Sequence, residues 1–264
     1  PATEVVATVP VGHGPVLPAV ATDGTAYVPD FDHASVTVIK GTESGGTIAV
    51  GRNPGPPAVA PDGTVYVPNS ADGTVSIIKG SQVTGTVTVG RNPTWAGIAG
   101  DGTVYVPNND DGTVTIIKGT AVTATATVGQ SPTWPVVADG TVYVTNNWDG
   151  TVSAIRGTQV AATLTVGNNP QRPAAAPDGA LYVSNNDDGT MSVIRGLDVL
   201  STITIGKNPT WAVVAPDGTV YVANNADKTA SVIRGTQVVA TLPLGNNPLD
   251  PAVGPDGTVY IPNF

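Results

Sequence analysis

The sequence has no cysteine, few charges and no long apolar run. Its 264 residues include only 12% Asp, Glu, Lys and Arg, with two histidines and one methionine. The lack of cysteine excludes disulfides, thiolate metal sites and thiol catalysis. The apolar runs have the length of strands, so no membrane insertion is expected. A net charge of -9, with eleven dispersed Lys and Arg, leaves no basic patch and argues against nucleic acid and anionic membranes as partners.

What the sequence does contain is a repeat of 38 or 39 residues. Each unit has four short stretches rich in Val, Ile, Thr and Tyr, which we name strands A to D; in the third unit they are WAGIAG, TVYVPN, TVTIIKG and VTATATVG. Gly, Pro, Asn and Asp separate them, as tight turns require, and no stretch has a helical period. The segment DGTVYVPN, or a close variant, begins at Asp23, Asp62, Asp101, Asp139, Asp178, Asp217 and Asp256. Seven such units predict an all-β fold, a seven-bladed β-propeller of four-stranded antiparallel blades.

The repeats account for the whole chain, so one propeller domain is predicted over residues 1–264. The units run from residue 13 to 264, and the segment EVVATVPVG predicts an N-terminal strand over residues 4–12 that closes the last blade. Because the last unit ends after strand B, that blade is expected to lack one strand. It is then either a three-stranded sheet or an open one, and an open edge would allow self-association with a strand of another chain.

The sequence motifs of the repeat also resemble those of a known family. The recurrent YVPN and YVAN, with YVTN at Tyr143 to Asn146, follow DGT and precede segments such as GTVSIIKG and VGxNP. These motifs are similar to those of YVTN-family β-propeller repeats, relatives of NHL propellers. The resemblance covers essentially the whole chain. It implies a propeller fold and a secreted or cell-surface location, with the signal peptide outside this chain, and it implies no defined activity.

We call the equivalent position in successive units a column of the repeat. Two of these columns are interpreted as structural. The tyrosine of strand B occurs in all seven units, where a large side chain fills the gap between blades and its hydroxyl needs a partner. The Lys or Arg that ends strand C lies at the same end of the blade as the aspartate of the DGT segment. Exposed ion pairs between these two columns are expected, and each contributes little to stability.

The column at the start of strand A varies most from unit to unit. It lies on the face that carries the D to A and B to C connections, and it reads Leu17, Pro56, Trp95, Trp134, Arg172, Trp211 and Asp250. In one interpretation the three tryptophans, with Arg172 and Asp250, form a ligand-binding rim at the channel mouth. In the other, each tryptophan folds over the next blade and fastens the ring.

The B to C turns on the same face supply further candidates. Phe31 and Trp148 are predicted to be exposed there and to contact the ligand. The NNDDG turns at Asn108 to Gly112 and Asn185 to Gly189 offer oxygen ligands for calcium, although none has EF-hand spacing and the same residues are common in hairpin turns. No cofactor is predicted, with calcium as the alternative.

The sequence offers little for catalysis. Both histidines, His13 and His33, fall in the first unit, whereas Glu4 and Glu43 lie elsewhere, so no His and Glu acid-base pair is predicted. The predicted function is therefore a non-enzymatic binding module for a carbohydrate or a protein. Two alternatives stay open: a scaffold that assembles by strand exchange, and a lyase- or hydrolase-like propeller with a site in the channel.

Overall fold

The computed structural model describes residues 5–254 and 256–264. Apart from one 3-10 turn at Phe31–His33, the regular structure in this part of the chain consists of strands. They form six four-stranded antiparallel sheets and one two-stranded sheet. The fold is therefore the predicted all-β, seven-bladed β-propeller. By contacts the chain divides into two compact units, Pro1–Ala126 and Thr127–Phe264, and each is described by itself. The single domain over 1–264 stays a prediction.

The first unit carries three sheets, each with its strands in the order A, B, C and D. In chain order the strands are β1 (Ala19–Val20), β2 (Ala26–Asp30), β3 (Ser35–Lys40), β4 (Glu43–Ala49), β5 (Ala58–Val59), β6 (Val65–Asn69), β7 (Thr74–Lys79), β8 (Gln82–Thr88), β9 (Gly97–Ile98), β10 (Val104–Asn108), β11 (Thr113–Lys118) and β12 (Ala121–Thr127).

The second unit carries three more four-stranded sheets and the two-stranded one. Its strands are β13 (Pro132–Ala138), β14 (Thr141–Asn146), β15 (Thr151–Arg156), β16 (Gln159–Thr165), β17 (Ala174–Ala175), β18 (Ala180–Asn185), β19 (Thr190–Arg195), β20 (Asp198–Thr204), β21 (Pro209–Val214), β22 (Val220–Asn224), β23 (Thr229–Arg234), β24 (Gln237–Pro243), β25 (Ala252–Val253) and β26 (Val259–Tyr260).

Strands B and C form the buried middle of each four-stranded sheet. All five residues of β6 are buried, whereas the outer strand β8 is largely exposed. Between the first two sheets the β-branched residues of β3 pack against those of β6 and β7, as Val36, Val67 and Ile78 show. A side chain of this size contributes roughly 1.5–3 kcal/mol when fully buried. Alternating Val and Ile on both faces therefore explains why these segments form central strands.

The tyrosine column fills the gaps between blades, as the sequence predicts. The Tyr66 hydroxyl donates to the carbonyl oxygen of Gly119 at 3.2 Å, and the Tyr143 hydroxyl donates to that of Gly196 at 2.8 Å. Both donors are thus linked to the C to D turn of the following blade. Burial raises the pKa of each tyrosine, because the charged phenolate would lose its hydration. Tyr260 of β26 differs, since 62% of its surface is exposed.

The N-terminal segment differs from its prediction. Residues 5–12 form no strand, and Val5 and Val6 are exposed, while Glu4 lies outside the described residues. A strand D pairs with a strand C in every four-stranded sheet, and within the described residues the last sheet consists of β25 and β26. The last sheet therefore lacks the partner that an outer strand needs.

No helical segment within residues 5–254 and 256–264 has the length and apolarity that crossing a bilayer requires.

Candidate functional site

The variable column lies where strand A is interrupted. In the first unit Pro54 forms a bridge with Asn69, and the ladder resumes only at Ala58. In the second unit β13 and β21 continue through this point with a register shift, between Thr133 and Val136 in the case of β13. The register of the ladder therefore changes at the residue that starts the variable column, as at a β-bulge.

Two tryptophans of the second unit meet at this interruption. The rings of Trp134 and Trp211 contact each other edge to face, with centroids 4.8 Å apart and an angle of 62° between their planes. Trp134 adopts a left-handed backbone conformation with φ of 50°. That conformation costs a bulky residue roughly 1–3 kcal/mol, which the surrounding packing must offset. Both rings are half-buried.

Arg172 and Asp250 complete this cluster. The Arg172 guanidinium carbon lies 5.8 Å from the centre of the Trp211 ring, within cation–π range, and the backbone N–H of Trp211 donates to Asp250 Oδ1 at 3.1 Å. Desolvation lowers the pKa of Arg172, and the Asp250 charge opposes that shift. The structure thus brings together four of the predicted rim residues. Trp95 has the corresponding position in the first unit, where it is half-buried.

The exposed aromatic residues of the B to C turns lie apart from that cluster in the sequence. Phe31, in the 3-10 turn, is 37% exposed, and Trp148 is 82% exposed. Trp148 borders a groove of about 770 Å³ between the turns of two successive sheets. Its polar lining includes Asn147, Asn168, Asn169, Asp187 and Asp188.

Asparagine side chains connect the successive sheets of the second unit at this edge. Asn147 Nδ2 donates to the Pro170 carbonyl oxygen at 3.0 Å. The equivalent amides, Asn186 and Asn225, donate to Pro209 and Pro248 at 2.9 Å. Each B to C turn is therefore hydrogen-bonded to the loop that enters the next sheet.

The acidic side chains of the two NNDDG turns also bind the preceding loop. Asp111 accepts both the backbone N–H and the Nε–H of Arg91, and Asp188 accepts the backbone N–H and Nδ2 of Asn168. Within residues 5–254 and 256–264, no group of three His, Asp or Glu side chains could hold a metal ion. Calcium binding at these turns stays a prediction.

The structure pairs the two histidines. The rings of His13 and His33 meet edge to face with centroids 5.0 Å apart, and the His13 backbone N–H points to His33 Nδ1 at 3.5 Å. Both side chains are exposed. The Asp32 carboxylate lies beside Gly14, where its Oδ2 would be 2.8 Å from an added Cβ atom. Two imidazoles and a carboxylate thus occupy one edge of the first sheet.

These histidines replace an ion pair of the second and third repeats. At the corresponding positions Arg52 Nε binds Asp72 Oδ1 at 2.6 Å, and Arg91 binds Asp111 with the same geometry. Sequence reasoning considered each histidine separately and missed their contact. The signal was nonetheless present, because both members of a recurring pair of columns change together in the first unit.

A buried carboxyl group lies three residues before His33 in the sequence. Asp30 takes the place of the asparagine that ends strand B in the other units, and it is fully buried. It accepts hydrogen bonds from the Gly12 N–H at 2.8 Å, Ser35 Oγ at 3.0 Å and Thr37 Oγ1 at 2.8 Å. A side chain at position 12 would collide with this carboxyl group, so the close approach requires glycine.

The DGT aspartates form the expected ion pairs with the residue that ends strand C. Lys118 Nζ lies 3.0 Å from Asp101 Oδ2, and Arg195 lies 2.5 Å from Asp178. Hydrogen bonds from the Thr103 backbone N–H and from Lys118 lower the pKa of Asp101 to about 2. The participating groups are more than half exposed, so these pairs are screened by solvent.

The sheets identify the chain as a seven-bladed β-propeller, and comparison with solved structures gives the same class. No family model matches the chain, and no curated protein matches it. A streptogramin B lyase is 12% identical with a TM-score of 0.75, covering 94% of this chain and 90% of the lyase. A catalytically inactive histidine-to-alanine variant of virginiamycin B lyase from Staphylococcus aureus, with quinupristin, is 12% identical with a TM-score of 0.74, covering 94% and 91%. Hydrazine synthase of Kuenenia stuttgartiensis is 18% identical with a TM-score of 0.68, covering 96% and 97%.

These comparisons correct the predicted function. The sequence predicts a non-enzymatic binding module, but the similar propellers reported above are enzymes, and two of them are lyases. The prediction of a non-enzymatic module is therefore contradicted, and the lyase- or hydrolase-like alternative has the better support. At 12% to 18% identity the likeness itself establishes the fold.

Proposed function

We propose that the chain is an acid-base enzyme of the lyase or hydrolase kind, and that His13 and His33 transfer its protons. The observation that carries the proposal is the contact between the two imidazole rings at 5.0 Å. A lyase needs a base that removes a proton and an acid that protonates the leaving group, and a hydrolase needs a base that activates water. Imidazole can serve either role near neutral pH.

The two histidines take different roles in this proposal. To protonate the leaving group His33 acts as the imidazolium, which carries protons on both ring nitrogens, so its Nδ1 gives up the contact from the His13 backbone N–H. His13 then acts as the base through its own ring. The exposure of both rings lets a substrate approach them directly.

The comparisons support a role for histidine without fixing a substrate. In virginiamycin B lyase, replacement of one histidine by alanine gives a catalytically inactive protein, which is recorded with quinupristin. The only histidines of the present chain are His13 and His33. Quinupristin is therefore the first substrate to test, followed by a panel of lactones and esters.

The decisive experiment compares the wild-type chain with a double variant, His13→Arg with His33→Asp. This variant installs the ion pair that Arg52 and Asp72 form in the second sheet, so the fold is expected to be preserved. Loss of general acid-base catalysis should lower turnover by about 100-fold or more. Product formation is followed by mass spectrometry, with circular dichroism as the check on folding.

Either of two results would overturn the proposal. One is a wild-type chain that converts neither quinupristin nor any member of the panel. The other is a folded double variant with undiminished turnover.

The YVTN-type family and the secreted or cell-surface location belong to the same proposal. The sequence motifs of the repeat support this family and this location, including YVTN itself at Tyr143 to Asn146. Detection of the protein outside intact producing cells, by antibody or protease accessibility, tests the location. A signal confined to lysed cells would contradict it.

A further inference from the structure

Trp148 is the most exposed tryptophan of the second unit. Its side chain is 82% exposed at the tip of the B to C turn, whereas Trp134 and Trp211 are half-buried and contact each other. The turn does not require a tryptophan, because Ala226 has the same position two blades later. Both residues donate the same backbone hydrogen bond, from Trp148 to Gln130 at 3.4 Å and from Ala226 to Lys207 at 3.3 Å. The indole ring is therefore dispensable for the local fold.

The groove beside Trp148 has an ordered polar lining. Asn169 Nδ2 donates to Asp187 Oδ1 at 3.1 Å, and Asn168 Nδ2 donates to Asp188 Oδ1 at 2.9 Å. Asn147 is held by Thr133 Oγ1 at 2.5 Å and by the Pro170 carbonyl oxygen. Because these bonds orient the amide and carboxylate groups in advance, a ligand loses little binding free energy in ordering them.

The charge of the groove restricts its ligand. Two aspartates line it, and none of its described lining residues is Lys or Arg. The net charge of the chain is also negative. A phosphorylated or carboxylated ligand would therefore be repelled, and a neutral ligand with many hydroxyl groups is accommodated.

We propose that this groove binds a neutral saccharide, with one sugar ring stacked on the Trp148 indole and its hydroxyl groups bonded to the Asn169, Asp187 and Asp188 side chains. An aromatic face next to a few fixed polar groups is the usual composition of a ligand site, and about 770 Å³ is within the size range of such sites. The proposal does not depend on the proposed enzymatic function, because it concerns binding alone.

The first unit contains a matched control groove. It has a volume of about 440 Å³ and lies between the corresponding turns of the second and third sheets. There Ala71 takes the place of Trp148, and Arg91 takes the place of Asn168. Asp110 Oδ1 accepts Asn92 Nδ2 at 3.0 Å, just as Asp187 accepts Asn169. The two grooves thus share a backbone pattern but differ in the aromatic face and in charge.

The experiment is a glycan array that contains neutral and acidic glycans, followed by titration calorimetry with the best ligand. The wild-type chain is compared with Trp148→Ala, Asp187→Asn and the control Asp110→Asn. Neutral glycans should bind, and Trp148→Ala should weaken binding by about tenfold or more, since stacking on the ring supplies much of the affinity. Asp187→Asn should also weaken binding, whereas Asp110→Asn should leave it unchanged.

Trp148→Ala is expected to fold, because alanine occupies this turn position in two other blades. The inference is overturned if the wild-type chain binds no neutral glycan at millimolar concentration, if it prefers acidic glycans, or if Trp148→Ala binds as well as the wild type. Since binding is measured without turnover, its failure is distinct from the failure of the enzymatic proposal.

Discussion

At the scale of single residues, the first blade shows how one repeat can diverge while its backbone is kept. Asp30 replaces asparagine and still satisfies the same neighbours, because the direction of the hydrogen bonds reverses. Asn69 donates to Thr74 Oγ1 and Ser76 Oγ, both at 3.0 Å, whereas Asp30 accepts from Ser35 and Thr37. A hydroxyl group can donate or accept, so the hydroxyl positions tolerate either residue.

This reversal predicts different effects for two substitutions of Asp30. Asp30→Asn should change stability little, because Asn108 in the third blade accepts the Gly90 N–H and donates to two threonine hydroxyls. Asp30→Ala should destabilise the protein by about 1–3 kcal/mol, since it leaves the part-buried Gly12 N–H without its acceptor. Urea denaturation of both variants measures the difference. Equal losses in the two would contradict this account.

At the scale of strands and turns, sequence reasoning worked where the repeat is strict. Strands B, C and D appear where the pattern TVYVPN, TVTIIKG and VTATATVG predicts them, because alternating β-branched residues pack against the neighbouring second sheet. Strand A was predicted over WAGIAG, but β9 contains only Gly97 and Ile98. The bridge at Pro93 and the interruption after it arise from backbone geometry that the hydrophobic pattern does not encode.

The residues of the candidate sites were predictable from the repeat, whereas contacts that depend on backbone geometry were not. The sequence identified Trp134, Arg172, Trp211 and Asp250 as one column. It could not give the contact between the two rings, which depends on the left-handed backbone of Trp134. The contact between His13 and His33 becomes predictable only when their two repeat positions are considered together. The exposure of Trp148 was predicted correctly, since a turn tip has no layer above it.

The DGT turns predict a dependence of stability on acid. The backbone N–H of the threonine two residues later lowers the pKa of Asp62, Asp101 and Asp217, and the pKa of Asp101 falls to about 2. A carboxyl group with a depressed pKa in the folded state stabilises the protein above its unfolded pKa of about 3.9. That contribution is lost as the pH falls through the folded pKa. The urea midpoint should therefore decline between about pH 4 and pH 2.

Asp101→Asn provides the control for this prediction. The variant lacks the titrating group, so its urea midpoint should change less with pH than that of the wild type over the same interval. Identical pH profiles for the two proteins would show that Asp101 does not contribute.

At the scale of the whole molecule, charge is scarce and predominantly negative. The chain carries 20 acidic and 11 basic side chains, and its isoelectric point is about 4.4. Net charge keeps proteins apart in solution, and its loss promotes association. Light scattering of the full chain should accordingly reach a maximum near pH 4.4 and decrease on either side. A scattering profile that is flat from pH 3 to pH 7 would contradict this expectation.

The interruption of strand A has a consequence for how such a protein can change over generations. The ladder is interrupted or shifts its register at this position, and leucine, proline, tryptophan, arginine and aspartate all occur there in one chain. Blades can therefore acquire new side chains at this edge one at a time, without loss of the hydrogen bonds that define the sheet. A repetitive scaffold can thus lose its symmetry in its chemistry while it keeps that symmetry in its backbone.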